Sequence, residues 1–145
     1  MRTLKALILS LTICVLVLPA LAEDAITDTT ITTPQTTTIA YYFYGTNRCA
    51  NCLKIEKYSH ETIEQSFSDK LSAGELSWMM KNLDDEANAH FIEEYKLFTK
   101  SLVLVRYENG QQVKWKNCDK IWEYLNDEAA FKKYVETEVA TFLGS

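Results

Sequence analysis

Two cysteines separated by two residues, Cys49-Ala50-Asn51-Cys52, are the part of this 145-residue chain best suited to chemistry. A thiolate attacks disulfides, and a second thiol one helical turn away can displace it again. If the pair opens a helix, the first sulfur lies beside unpaired backbone N–H groups at the positive end of the helix dipole, and both favour thiolate over thiol. Arg48 places a cation directly before the pair, so Cys49 is the candidate attacking sulfur and Cys52 the candidate resolving sulfur.

The same residues admit other readings. Cys49 and Cys52 could form a static disulfide that staples a loop, or hold a soft metal or metalloid with Cys118 as a third ligand. Cys118 otherwise reads as a small buried apolar residue. The chain has no second Cys-x-x-Cys, and neither His60 nor His90 is near the pair in sequence, which speaks against zinc. Both histidines sit among charged neighbours and read as solvated surface groups. Glu56, one turn beyond Cys52, could accept a proton but reads more simply as an exposed helix carboxylate. No cofactor is called for.

The pair needs a strand to deliver it and a helix to follow it, and the flanking residues provide both. Ile39-Ala40-Tyr41-Tyr42-Phe43-Tyr44 is a short apolar run that predicts a strand covered on both faces. Gly45 to Arg48 form a loop. From Cys49 the residues Cys52, Ile55, Ile63, Phe67 and Leu71 recur at helical spacings, with Gly74 as a C-terminal cap. A second strand is predicted at Leu76 to Leu83. Asp84-Asp85-Glu86 then supply acidic N-capping for a helix through Ala87, Phe91, Ile92 and Tyr95. Leu102 to Val105 is a third strand, and Glu108-Asn109-Gly110 is a hairpin signal leading into Val113-Lys114-Trp115. Helices are predicted at Asp119 to Leu125 and at Glu128 to Leu143, the latter with Phe131, Val135, Val139 and Phe142 on one face. Trp78, Trp115, Trp122, Tyr124 and Tyr134 read as core and not as a ligand surface. The order βαβαββα predicts an α/β fold, a mixed sheet flanked by helices.

The start of the chain reads as a secretory signal peptide over residues 1–22. Arg2 and Lys5 precede an uncharged run from Ala6 to Leu18, and Pro19 and the small-residue pattern Ala20-Leu21-Ala22 follow. The run is about 13 residues, too short for the roughly 20 that span a bilayer. Residues 23–38 hold eight threonines and almost no large apolar group, and predict a Thr-rich linker, with an edge strand over Ile31 to Thr38 as the alternative. Residues 39–145 form one domain. The whole chain carries fifteen basic and twenty acidic residues. Loss of Arg2 and Lys5 would take the net charge from −5 to −7. This acidity argues against nucleic acid or an anionic membrane as partner, and cleavage is expected to leave no stable membrane anchor. The expected location is exported, periplasmic or extracellular. Three cysteines remain after residue 22, an odd count that argues against a small disulfide scaffold.

From Ile39 to Leu143 the chain resembles the thioredoxin superfamily. The resemblance rests on the pair between a buried strand and a helix, on Lys81-Asn82-Leu83-Asp84, on Tyr95 with Leu97, on Leu102 to Val105, and on Asn109-Gly110. Tyr42-Phe43-Tyr44-Gly45 ahead of Arg48-Cys49, with Trp115-Lys116-Asn117 and Ile121-Trp122, is similar more narrowly to the exported nitrophenyl compound nitroreductase subunit ArsF family. The superfamily resemblance implies thiol–disulfide exchange, a candidate oxidoreductase, with a protein or small-molecule thiol or disulfide as partner.

Three positions depart from the superfamily pattern. Arg48 replaces a tryptophan, Phe43 replaces a buried aspartate that relays protons, and Ser101 replaces a cis-proline facing the cysteines. Ser101 is expected in a trans peptide, since a non-proline cis bond costs about 3 kcal/mol. Its hydroxyl and N–H would offer donors to a Cys49 thiolate, or Ser101 is a plain surface serine at a strand start.

Overall fold

A computed structural model describes residues 35–145. The expected signal peptide and residues 23–34 of the expected linker lie outside them. The elements run β1 (Thr36–Tyr44), α1 (Ala50–Ser66), α2 (Ser68–Ser72), β2 (Leu76–Asn82), α3 (Phe91–Glu94), β3 (Ser101–Glu108), β4 (Gln111–Asn117) and α4 (Glu128–Leu143). The strands form one sheet in the order β2-β1-β3-β4. β1 runs parallel to β2 and antiparallel to β3, and β3 and β4 make an antiparallel hairpin. This is the α/β mixed sheet with flanking helices that the sequence predicts, in a thioredoxin-like arrangement.

β1 is interior to the sheet and its side chains alternate between two cores, which explains why the run lacks a polar face. Ala40 and Tyr42 join Leu102 and Leu104 of β3 in the core built with Ile55 and Ile63 of α1 and Phe131, Val135, Val139 and Phe142 of α4. Tyr41 and Phe43 face the other way, into a smaller core with Val103, Val105, Tyr95 and Leu97. Phe43, where the superfamily keeps an aspartate, is fully buried there against Phe91 and Tyr95. At this position the strand presents an apolar ring in place of a carboxylate.

Several boundaries differ from the sequence reading. β1 starts at Thr36, so Thr36 to Thr38 of the expected linker are strand, with Thr38 buried and its N–H donated to Glu75 O at 2.8 Å. The helix opened by the cysteines ends at Phe67, which still donates its N–H to Ile63 O at 3.1 Å but leaves helical angles with φ of −132°, and α2 restarts at Ser68. The expected helix after Asp84-Asp85-Glu86 is a 3₁₀ turn at Glu86–Asn88 followed by the four residues of α3. The helix expected from Asp119 is a 3₁₀ turn that ends at Trp122. Trp115, assigned to the core, is 36% exposed on the edge strand β4. The other four aromatic residues pack half-buried against the larger core.

The hairpin and the last helix follow their signals. Asn109 and Gly110 have φ of 52° and 80°, the positive values that a two-residue hairpin turn with right-handed twist requires. Asp127 caps α4 by accepting the Ala130 N–H at 3.0 Å. Arg106 of β3 closes the other end by donating to the free carbonyls of Phe142 and Leu143.

Candidate functional site

β1 ends at Tyr44 and the chain turns at Gly45 through an exposed loop to Cys49, which is the N-cap of α1. Cys49 has extended backbone angles and its Sγ accepts the Cys52 N–H at 3.1 Å, the bond by which a cap satisfies an orphan amide. Cys49 and Cys52 are joined as a disulfide, with Cα atoms 5.0 Å apart. Cys49 is exposed and Cys52 is 2% exposed. An incoming group can therefore reach the first sulfur, whereas the second is sheltered beneath the helix start.

The loop that carries the pair is pinned from β2. Leu83 N–H donates to Tyr44 O at 2.7 Å, and the Asp84 carboxylate accepts the Thr46 N–H at 2.7 Å. Asn82 Nδ2 adds a bond to Thr46 Oγ1 at 3.2 Å. These bonds to Thr46 hold the Asp84 carboxyl below the usual carboxylate range. Asp84 was expected to cap a helix, and it holds the loop that carries the cysteine pair instead. A Cβ on Gly45 would meet Asp84 Oδ2 at 3.3 Å, so the absence of a side chain lets the carboxylate come this close.

Arg48, directly before Cys49, and Glu56, one turn beyond Cys52, form an ion pair. The guanidinium carbon lies 4.5 Å from the centre of the Tyr44 ring, a cation–π arrangement. Glu56 is thus not the exposed carboxylate considered from sequence, and Arg48 is not an uncompensated cation. Beneath the helix start the Tyr42 hydroxyl donates to Cys52 O at 2.8 Å, and burial pushes its pKa up to about 12. Sequence patterning marked Tyr42 only as a strand residue. Its polar role depends on which atom lies across the core.

Ser101 opens β3 opposite Phe43, on the strand adjacent to the one that feeds the loop. It is 5% exposed, and its hydroxyl donates to Thr99 O at 2.9 Å. It is not a surface serine, and its hydroxyl is engaged within its own segment. Trp122 Nε1 donates to Lys100 O at 2.9 Å and holds the stretch just before it. A cavity of about 220 Å³ lies between this stretch and the active loop, walled by Tyr44, Gly45, Leu83, Leu97, Phe98 and Lys100. Phe98 is 98% exposed at its rim.

Cys118 is fully buried in the larger core, with its N–H donated to Leu102 O at 2.8 Å. Burial pushes its thiol up to about 12, so it stays protonated. Among the described residues no group of three His, Cys, Asp or Glu side chains could hold a metal ion, so Cys118 does not complete a three-ligand site. His60 stacks on Trp78 with ring centres 5.1 Å apart and lies 3.2 Å from Glu64. His90 sits on Phe91. Neither approaches a shared ligand group. No helix among the described residues is long and apolar enough to cross a membrane.

No protein-family model matches the chain, and no curated protein matches it significantly.

Proposed function

We propose that this protein performs thiol–disulfide exchange through Cys49 and Cys52 in an exported compartment, as a thioredoxin-like oxidoreductase akin to the ArsF family. The observation that carries this reading is the asymmetry of the pair: an exposed sulfur at a helix N-cap bonded to a buried one at the next turn. In the reducing direction the Cys49 thiolate attacks one sulfur of a partner disulfide. A Cys49–partner disulfide forms, the partner's own S–S bond breaks, and its second sulfur leaves as a thiolate that takes up a proton. Cys52 then loses its proton and attacks Cys49, which restores the internal disulfide and releases the partner's first sulfur. Counted from the dithiol, with the proton that Cys49 gives up on becoming a thiolate and the one that the partner's first sulfur takes up on release, the pair loses two electrons and two protons and the partner gains the same. In the oxidising direction the steps reverse.

The helix N-terminus favours the thiolate in both directions. The cavity beside the loop, with Leu83, Leu97 and Phe98 on its walls, gives an apolar stretch of a partner chain a place to lie. The disulfide accords with an oxidising compartment, and the basic and apolar start of the chain accords with export.

The deciding experiment is redox equilibration of the pair against glutathione buffers, with alkylation to count free thiols. An exchanging pair should titrate between about −270 and −120 mV, the span of known exchange proteins. A pair that stays oxidised below about −300 mV is a structural staple, and the proposal falls.

A further inference from the structure

We propose that Glu56 is a positioning residue that, by holding Arg48, restrains how far the Arg48 cation favours the reduced form of the Cys49–Cys52 pair. The inference rests on the exchange reading and adds a control of its driving force.

The geometry is specific to this loop. Arg48 is the last residue before the disulfide and Glu56 lies one turn beyond it on α1, so the two ion-paired residues flank the cysteine pair along the chain. The two side chains are 26% and 27% exposed, which leaves their interaction less screened than that of an open surface pair. The Tyr44 ring backs the guanidinium. Arg48 Nε is buried and has no acceptor, and Glu56 is the carboxylate paired with this cation among the described residues. The charge reaches the interior as well. Arg48 lowers the otherwise raised Tyr42 hydroxyl, which bonds the Cys52 carbonyl.

Reduction turns a neutral disulfide into a dithiol that bears a thiolate. A bare cation beside it would stabilise the reduced form and make the pair more oxidising, as any stabilisation of the reduced state does. A cation neutralised by Glu56 does this less. The other ionisable groups at this end of the fold are Asp84 from the end of β2, Lys100 ahead of β3, Lys54 and Lys57 on α1, and Tyr42 and Tyr44 from β1. They are common to every variant below, so their contribution cancels in the comparison.

The test equilibrates the full exported chain and its variants in glutathione buffers and counts free thiols by alkylation. Oxidised protein and two glutathione molecules give the dithiol and one glutathione disulfide. Glu56→Gln should shift this equilibrium toward the dithiol by roughly threefold to tenfold, tenfold being about 30 mV for a two-electron couple. The shift should persist in Arg48→Lys/Glu56→Gln, which keeps the cation, and disappear in Arg48→Met/Glu56→Gln. An unchanged equilibrium in Glu56→Gln overturns the inference. So does a shift that survives Arg48→Met, because Glu56 would then act directly on the sulfurs. If the wild-type pair does not equilibrate with glutathione at all, the exchange reading fails and this one with it. If the wild type equilibrates and all variants coincide, only this inference fails.

Discussion

The Tyr42 hydroxyl, rooted in the middle of the sheet, donates to the backbone carbonyl of Cys52 at 2.8 Å. The bond ties the first turn of α1 to the strand beneath it, and both groups are out of water. Tyr42→Phe keeps the ring and removes the donor. It should lower unfolding stability by about 0.5–1.5 kcal/mol, read from the urea midpoint of the oxidised protein. A larger loss would mean that the ring itself has repacked.

The three thiols of residues 35–145 should separate sharply by reactivity once the disulfide is reduced. Cys49 is exposed at a helix N-cap, and Cys118 is buried with its thiol pushed up to about 12. At pH 7 an alkylating agent should modify Cys49 first and leave Cys118 untouched until the protein unfolds. Peptide mass mapping over time checks the order. Early labelling of Cys52 or Cys118 would reverse the assigned roles.

Replacing one cysteine at a time isolates each half of the reaction. Cys52→Ser should accumulate a mixed disulfide between Cys49 and a small disulfide reagent, because the sulfur that would expel it is gone. Cys49→Ser should react far more slowly, since Cys52 is buried. Mass spectrometry of the two variants after brief exposure to glutathione disulfide distinguishes them.

Asp84 gives the loop a pH dependence of definite sign. Its carboxyl is held below the usual range by the Thr46 N–H and hydroxyl, so it binds its proton less readily folded than unfolded. Its contribution is full above the unfolded carboxyl pKa of about 3.9 and is lost as pH falls through the lower, folded value. Acid unfolding should therefore be less steep below about pH 4 in Asp84→Asn, which keeps an acceptor for Thr46 and does not titrate there. Glu128, whose pKa is lowered by Lys132 and Tyr58, titrates in the same direction and remains in both proteins. Urea midpoints measured across pH 2 to 6, set around that carboxyl pKa, test the difference.

The regular elements were legible wherever one periodicity acted alone. The doubly covered run from Ile39 to Tyr44 is the interior strand, and Phe131, Val135, Val139 and Phe142 are the buried face of α4. Asn109-Gly110 specified its turn through backbone angles that few other residues adopt. The site was legible only as far as it is local. A cysteine at a helix start caps its own helix, and chain order suffices to say so. Asp84 has an N-capping pattern in sequence, yet the nearest orphan amide in space belongs to Thr46, 38 positions earlier. Arg48 and Glu56 are eight residues apart, and only the turn of the chain into α1 makes them partners. The threonines of β1 were ambiguous because their composition suits a solvated spacer and a strand alike, and pairing with Glu108, Tyr107 and Arg106 decides between the two.

β1 is hydrogen-bonded along both of its edges, and its last residue leads straight into the loop that carries the disulfide. Such a strand exchanges its amides only through openings close to global unfolding, whereas a loop held by a few side-chain bonds opens far more cheaply. A change at the pair is therefore absorbed between Gly45 and Arg48 before it disturbs Tyr42 and Tyr44 of the strand. On the exchange reading, oxidised and reduced forms would then share one framework, and a partner would meet the same surface at the start and at the end of the reaction.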